Sequence, residues 1–66
     1  MKQKYRIRCQ AETGEIINEY YLEARDENDA AIKNHKHPEY AKSMDMAIEK
    51  GIYGFQFVID PINNLN

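Results

Sequence analysis

Lys4-Tyr5-Arg6-Ile7-Arg8-Cys9-Gln10-Ala11, then Glu12-Thr13-Gly14-Glu15, then Ile16-Ile17-Asn18-Glu19-Tyr20-Tyr21-Leu22-Glu23-Ala24, is the stretch that decides the fold. In its first part Tyr5, Ile7, Cys9 and Ala11 alternate with Lys4, Arg6, Arg8 and Gln10. Period-two alternation marks a strand with one buried face. The middle reads as a turn, because Gly14 takes positive φ without steric cost. The third part alternates again, with Ile16, Tyr20, Leu22 and Ala24 on one face and Ile17, Glu19, Tyr21 and Glu23 on the other. With Thr13-Gly14 at the turn centre, Glu12 faces Glu15, Arg8 faces Glu19, Arg6 faces Tyr21 and Lys4 faces Glu23. On the opposite face Ala11 meets Ile16, Ile7 meets Tyr20 and Tyr5 meets Leu22. A one-residue slip would set Ile7 against Glu19 and spoil both faces. Each matched cross-strand pair contributes about 0.2–1 kcal/mol, so their agreement specifies a hairpin over residues 4–24.

Beyond the hairpin the period changes. Asp26 or Asn28 can cap a helix, and Asp26, Glu27 and Asp29 stand where the helix dipole favours acids. Ala30, Ala31 and Ile32 form a thin apolar stripe. Pro38 interrupts, since proline lacks the N–H and restrains the residue before it. It is also tolerated as the first residue of a new helix. Either two helices or one kinked helix therefore spans about residues 27–50. Tyr40, Ala41, Met44, Ala47 and Ile48 mark the buried side of the second part, and Gly51 ends it. Residues 52–59 read as a last strand, with Tyr53, Phe55, Phe57 and Ile59 on one face and Ile52, Gly54, Gln56 and Val58 on the other. Pro61 closes it, and residues 60–66 form an Asn-rich tail. A strand apolar on both faces suits the centre of a sheet or an edge that pairs with another molecule.

The 66 residues make one domain, 42% hydrophobic and 30% charged, a globular balance. The expected class is α+β, two-layered: a three-stranded antiparallel or mixed sheet with helices on one face. A chain this short buries roughly 60% of its unfolded surface, so dimerisation or a larger partner would steady it. The net charge of −2 argues against generic nucleic-acid binding, which needs a basic excess. Cys9 is the single cysteine and permits no internal disulfide. No apolar signal-peptide core follows Met1–Tyr5, and no apolar run reaches the length of a membrane span, which points to the cytoplasm.

No catalytic constellation is expected, because the sequence holds neither a phosphate-cradling glycine loop nor a nucleophile motif with an ordered base. Cys9 lies on the apolar face and reads as a small buried hydrophobe. His35 and His37 flank Lys36, but two ligands do not complete a structural metal site, so neither a metal nor another cofactor is expected. The candidate partner-binding residues are Lys4, Arg6, Arg8, Glu19, Tyr21 and Glu23 on the outer hairpin face, with Asp26 and Glu27 at the junction with the first helix. Arginine and tyrosine are enriched at binding hot spots, whereas a mutually neutralised solvated face is the plainer reading of such a row. Lys50-Gly51-Ile52-Tyr53-Gly54-Phe55-Gln56-Phe57 resembles the aromatic strand of RNA-recognition sheets. Tyr53, Phe55 and Phe57 would stack on bases if they faced solvent.

Glu19-Tyr20-Tyr21-Leu22-Glu23-Ala24, followed by Glu27 and Ala30, resembles small phage and mobile-element proteins in which a strand ending in Glu-Ala feeds a helix with an acidic start. Small anti-CRISPR inhibitors are similar in size and element order. The resemblance implies a non-enzymatic inhibitor that binds a host protein or nucleoprotein complex. The other readings are a small nucleic-acid-binding module and a structural homodimer joined through the last strand.

Overall fold

The computed structural model describes residues 2–62. It holds β1 (Gln3–Ala11), β2 (Ile16–Ala24), α1 (Glu27–Lys36), α2 (Pro38–Glu49) and β3 (Phe55–Pro61). The three strands form one antiparallel sheet in the order β2-β1-β3, with both helices packed on one face. The α+β two-layer class is as the pattern of elements requires, and among the described residues both strand pairs are antiparallel. None of the helices among the described residues is long and apolar enough to cross a membrane.

Along the hairpin, Lys4 pairs with Glu23, Tyr5 with Leu22, Arg6 with Tyr21, Ile7 with Tyr20 and Arg8 with Glu19, the register set by sorting apolar from charged residues. Near the turn the structure departs from that register. Ala11 and Glu15 close a three-residue loop: the Ala11 N–H donates to the Glu15 carbonyl at 2.8 Å and the Gly14 N–H to the Ala11 carbonyl at 2.9 Å. Gly14 carries the positive φ of 99° that ends such a loop. The pairing then runs Gln10 with Ile16 and Cys9 with Asn18, so Ile17 is the extra residue of a β-bulge. Neither Glu12–Glu15 nor Ala11–Ile16 is a pair. The bulge also reverses the expected faces of the two isoleucines: Ile17 is 4% exposed against the helices, and Ile16 is 41% exposed.

Helix α1 starts as its acids predict. The Asp26 side chain accepts from the Asp29 N–H at 2.8 Å, and Asp29 reaches back to the Arg25 N–H at 3.0 Å. These bonds satisfy two backbone donors at the helix start. The Arg25 N–H foremost, helped by Lys33, holds the Asp29 carboxyl below its usual range. Pro38 is the first residue of a separate helix, capped by His37, whose Nδ1 accepts from the Glu39 N–H at 3.1 Å. Helix α2 ends in a left-handed Gly51, φ 73°. The Gly51 N–H bonds the Ile48 carbonyl at 3.0 Å and the Ile52 N–H the Ala47 carbonyl at 2.8 Å, the paired bonds of a Schellman stop.

The core has two halves. Ala30 of α1 seals Tyr5, Ile7, Tyr20 and Ala24, with Leu22 and Ile59 half-buried beside them. Ala47 of α2 seals Cys9, Ala11 and Ile17, with Met46, Ile52 and Phe55 around them. Phe57 packs against both halves and stacks under Tyr40, ring centroids 4.7 Å apart. Small residues let the helices approach the sheet, and the apolar stripe of α2 is narrower than its spacing suggests. Ala41 is exposed and Ile48 is 59% exposed, while Ser43 is buried. On α1, Ile32 is exposed and Asn34 is buried.

Burial pushes the Cys9 thiol above its ordinary value. Thiol–disulfide exchange at Cys9 in the native protein should therefore run on the order of 10²-fold or more slower than in denaturant, because the thiol reacts only when the domain opens. A stopped assay with a chromogenic disulfide reads the two rates; equal rates would mean that Cys9 is not sealed.

The last strand begins at Phe55, three residues later than the sequence suggests, and continues through Asp60 and Pro61. It is an edge strand, and β1 is the centre. The Glu12 N–H donates to the Gly54 carbonyl at 3.2 Å and the Ile62 N–H to the Lys4 carbonyl at 2.9 Å. Backbone groups alternate direction along a strand, so the even residues of β3 bond β1, and Phe55, Phe57, Ile59 and Pro61 turn theirs outward. The missing N–H of Pro61 thus falls on the free side, which is why the strand runs through it. The rest of the expected tail, residues 63–66, lies outside the described residues.

Candidate interaction surface

Among the described residues the helices cover one face of the sheet and leave the other bare. Strand β1 runs down the middle of that bare face and presents Lys4, Arg6, Arg8 and Gln10. Across from them β2 presents Glu23, Tyr21 and Glu19, and β3 presents Asp60, Val58 and Gln56. The rows read Tyr21–Arg6–Asp60 and Glu19–Arg8–Val58. Six of the sequence candidates, Lys4, Arg6, Arg8, Glu19, Tyr21 and Glu23, therefore share one surface.

Asp60 organises its centre. It takes a 2.6 Å charge-assisted bond from Arg8 and lies 3.7 Å from Arg6. One carboxylate thus serves two guanidiniums, on a face where Lys4, Arg6 and Arg8 are matched by Glu19, Glu23 and Asp60. The Nε atoms of both arginines are shielded and make no hydrogen bond within the described residues. Tyr21 is 48% exposed and donates to Glu19 at 3.0 Å. That bond, more than the nearby charge, raises the Tyr21 phenol above its ordinary value. Asp60 was not among the sequence candidates. Its signal was available in the acid two residues beyond Val58, on the same strand face.

Asp26 and Glu27 stand elsewhere. They begin α1 on the helical side of the sheet, where Asp26 is occupied as the cap. Burial, followed by the charges of Asp26, Glu27 and Asp29, raises the phenol of Tyr5, which lies on the core face. The acidic junction and the arginine row are therefore features of opposite sides of the sheet.

The three rings of the aromatic segment are also divided. Phe55 and Phe57 face the helices as part of the core. Tyr53 precedes the strand and is 81% exposed. They present no common stacking platform. His35 packs on Tyr40 at 4.8 Å, while His37 caps α2 and stacks on Tyr20 at 4.9 Å. No group of three or more potential metal ligands stands together among the described residues. A recess of about 330 Å³ near the hairpin turn is lined by Gln10, Glu12, Phe55 and Gln56, which place no nucleophile beside a base.

Between the layers runs a polar seam that apolar spacing did not reveal. The Asn18 amide donates to Glu39 at 3.0 Å and to the Ser43 hydroxyl at 2.9 Å, and that hydroxyl donates to the Glu39 carbonyl at 2.7 Å. The Tyr20 hydroxyl donates to Asn34. These bonds tie both helices to β2 and fix how they lie on the sheet.

Comparison with protein-family models, curated proteins and solved structures gives no match.

Proposed function

We propose that the chain is a non-enzymatic interaction module that docks a larger protein or nucleoprotein complex on the bare face of its sheet. In this role it acts as an inhibitor by protein–protein contact, the role implied by its resemblance to small phage and mobile-element proteins. The observation that carries the reading is the juxtaposition of Arg6, Arg8 and Tyr21 on a strand pair with no layer above it among the described residues. Arginine and tyrosine supply much of the energy of protein interfaces, and rigid strands hold them with little entropy left to lose. The unequal sharing of Asp60 by two arginines favours a partner that brings a carboxylate or another acidic group to the centre of the contact. Base stacking by the aromatic segment draws no such support, since Phe55 and Phe57 are turned to the core.

The combined substitutions Arg6→Ala, Arg8→Ala and Tyr21→Ala should abolish capture of the partner from the host cell while circular dichroism stays unchanged. Hot-spot losses of about 2 kcal/mol each would weaken binding by more than 10³-fold in total. The same partners retained at the same yield by the folded triple variant would remove this surface from consideration.

A further inference from the structure

The geometry of β3 points to a second binding surface, independent of the bare face: we propose that its free edge pairs antiparallel with the same edge of a second copy, making one six-stranded sheet. The outward N–H and C=O groups of Phe55, Phe57 and Ile59 have no strand neighbour on that side among the described residues, which is the template for strand addition. Their side chains are half-buried at the margin of the core, so an added strand would finish covering them.

Charge selects the occupant. A twofold pairing centred on Phe57 sets Phe57 against its twin and Phe55 against Ile59 of the second copy. On the other face Gln56 meets Val58, and no like charges are opposed. Asp60, the strand's one charged residue, is already held by Arg8 and Arg6 of its own chain. Every outward group of Phe55, Phe57 and Ile59 then finds a partner, and Pro61, with no N–H, lies just beyond the ladder. Moving the axis to Val58 would set Pro61 against Phe55 and leave a carbonyl of Phe55 unpaired. The β2 edge cannot pair with itself in this way. A twofold at Tyr21 would oppose Glu19 to Glu23 twice, and like charges directly opposite are destabilising. Acids thus oppose a twofold on Glu19, Tyr21 or Glu23 of β2, whereas the β3 edge is self-complementary about Phe57.

The dimer places both helical layers on one side and both arginine rows on the other, giving a continuous outer face with two copies of the Arg6–Arg8–Tyr21 cluster.

Sedimentation equilibrium of the full chain should give twice the 7.8 kDa of one chain. Hydrogen exchange should show the Phe55, Phe57 and Ile59 amides protected and losing that protection on dilution. Val58→Glu should halve the mass with an unchanged far-ultraviolet spectrum. The introduced carboxylate lies beside Arg8 in its own chain but diagonal to its twin across the axis. A wild-type chain that stays monomeric at millimolar concentration, with those three amides exchanging freely, overturns the proposal. So does a dimer in which they exchange freely, or a monomer whose edge is protected by a co-purifying chain of different mass. Exchange is read on the wild type, so the result stands even if Val58→Glu fails to fold.

Discussion

Ile17→Ala should cost about 2–5 kcal/mol, while Ile16→Ala should cost no more than about 0.5–1 kcal/mol. The two residues are neighbours of one type, and strict alternation would assign the larger effect to Ile16. The bulge inverts the order. Ile17 lies against Cys9, Ala11 and Ala47 in the half of the core beneath α2, and truncating it leaves a cavity that the strands and α2 cannot close. Ile16 lies opposite Gln10 on the bare face. A domain of this size has a total stability of about 3–10 kcal/mol, so Ile17→Ala should leave a large unfolded fraction. Urea denaturation of the two variants decides the matter through the midpoint at constant slope. Equal losses, or a larger loss from Ile16→Ala, would mean that the bulge is absent in solution.

Removing Tyr20 should have an effect of the same size. Its ring is 7% exposed, fills the space beneath α1, stacks on His37 and bonds Asn34. Tyr20→Ala should cost about 3–5 kcal/mol from the lost packing and the cavity. Tyr20→Phe keeps the packing but leaves the buried Asn34 amide oxygen without its donor, which costs about 1–3 kcal/mol. The same hydroxyl gives an alkaline signature. Burial above all, with smaller contributions from Cys9, Glu39 and Tyr40, pushes the Tyr20 phenol up to about 12 from 10.0. Above pH 10 the unfolded chain releases this proton while the folded chain retains it, so stability falls as pH rises. The contribution is fully present below pH 10 and is lost by about pH 12, a change on the order of 2–3 kcal/mol. Tyr20→Phe should remove that component from the pH dependence measured by denaturant titration. A variant that loses stability with pH as steeply as the wild type would show that Tyr20 does not titrate against the fold.

The hairpin register was legible because two independent sorts, apolar with apolar and acid with base, agree on one alignment. The bulge was not, because alternation presupposes an unbroken period of two. A local signal did exist. A two-residue turn centred on Thr13-Gly14 in the common hairpin geometry asks positive φ of a β-branched threonine, whereas a three-residue loop asks it of Gly14 alone. One residue more in the loop then needs a bulge to restore the register at Arg8–Glu19. The start of β3 was misplaced for a related reason: Ile52 and Tyr53 continue the alternation, although Ile52 is engaged in the stop of α2. Ile48 looked like core by spacing, but Ser43 and Asn34 fill the places where the helices come closest to the sheet. Pattern reading discounts polar residues and cannot see that Asn18, on the facing strand, awaits Ser43. For the candidate surface, the arginine row was readable from β1 alone. The central position of β1, which joins Asp60 to that row, depends on a pairing between residues more than 50 positions apart.

That central position also sets the order in which the protein can be made. Strand β1 leaves the ribosome before β2, α1, α2 and β3, yet β1 and β3 are neighbours in the sheet. Until β3 arrives, Tyr5, Ile7, Cys9 and Ala11 belong to a two-stranded hairpin in which the β3 side of β1 is unpaired. Local hairpin and helix formation can precede the arrival of β3, whereas closure across α1 and α2 is a later, non-local step that slows folding. Nascent chains halted before Phe55 should therefore remain sensitive to protease, with resistance gained only as β3 becomes available.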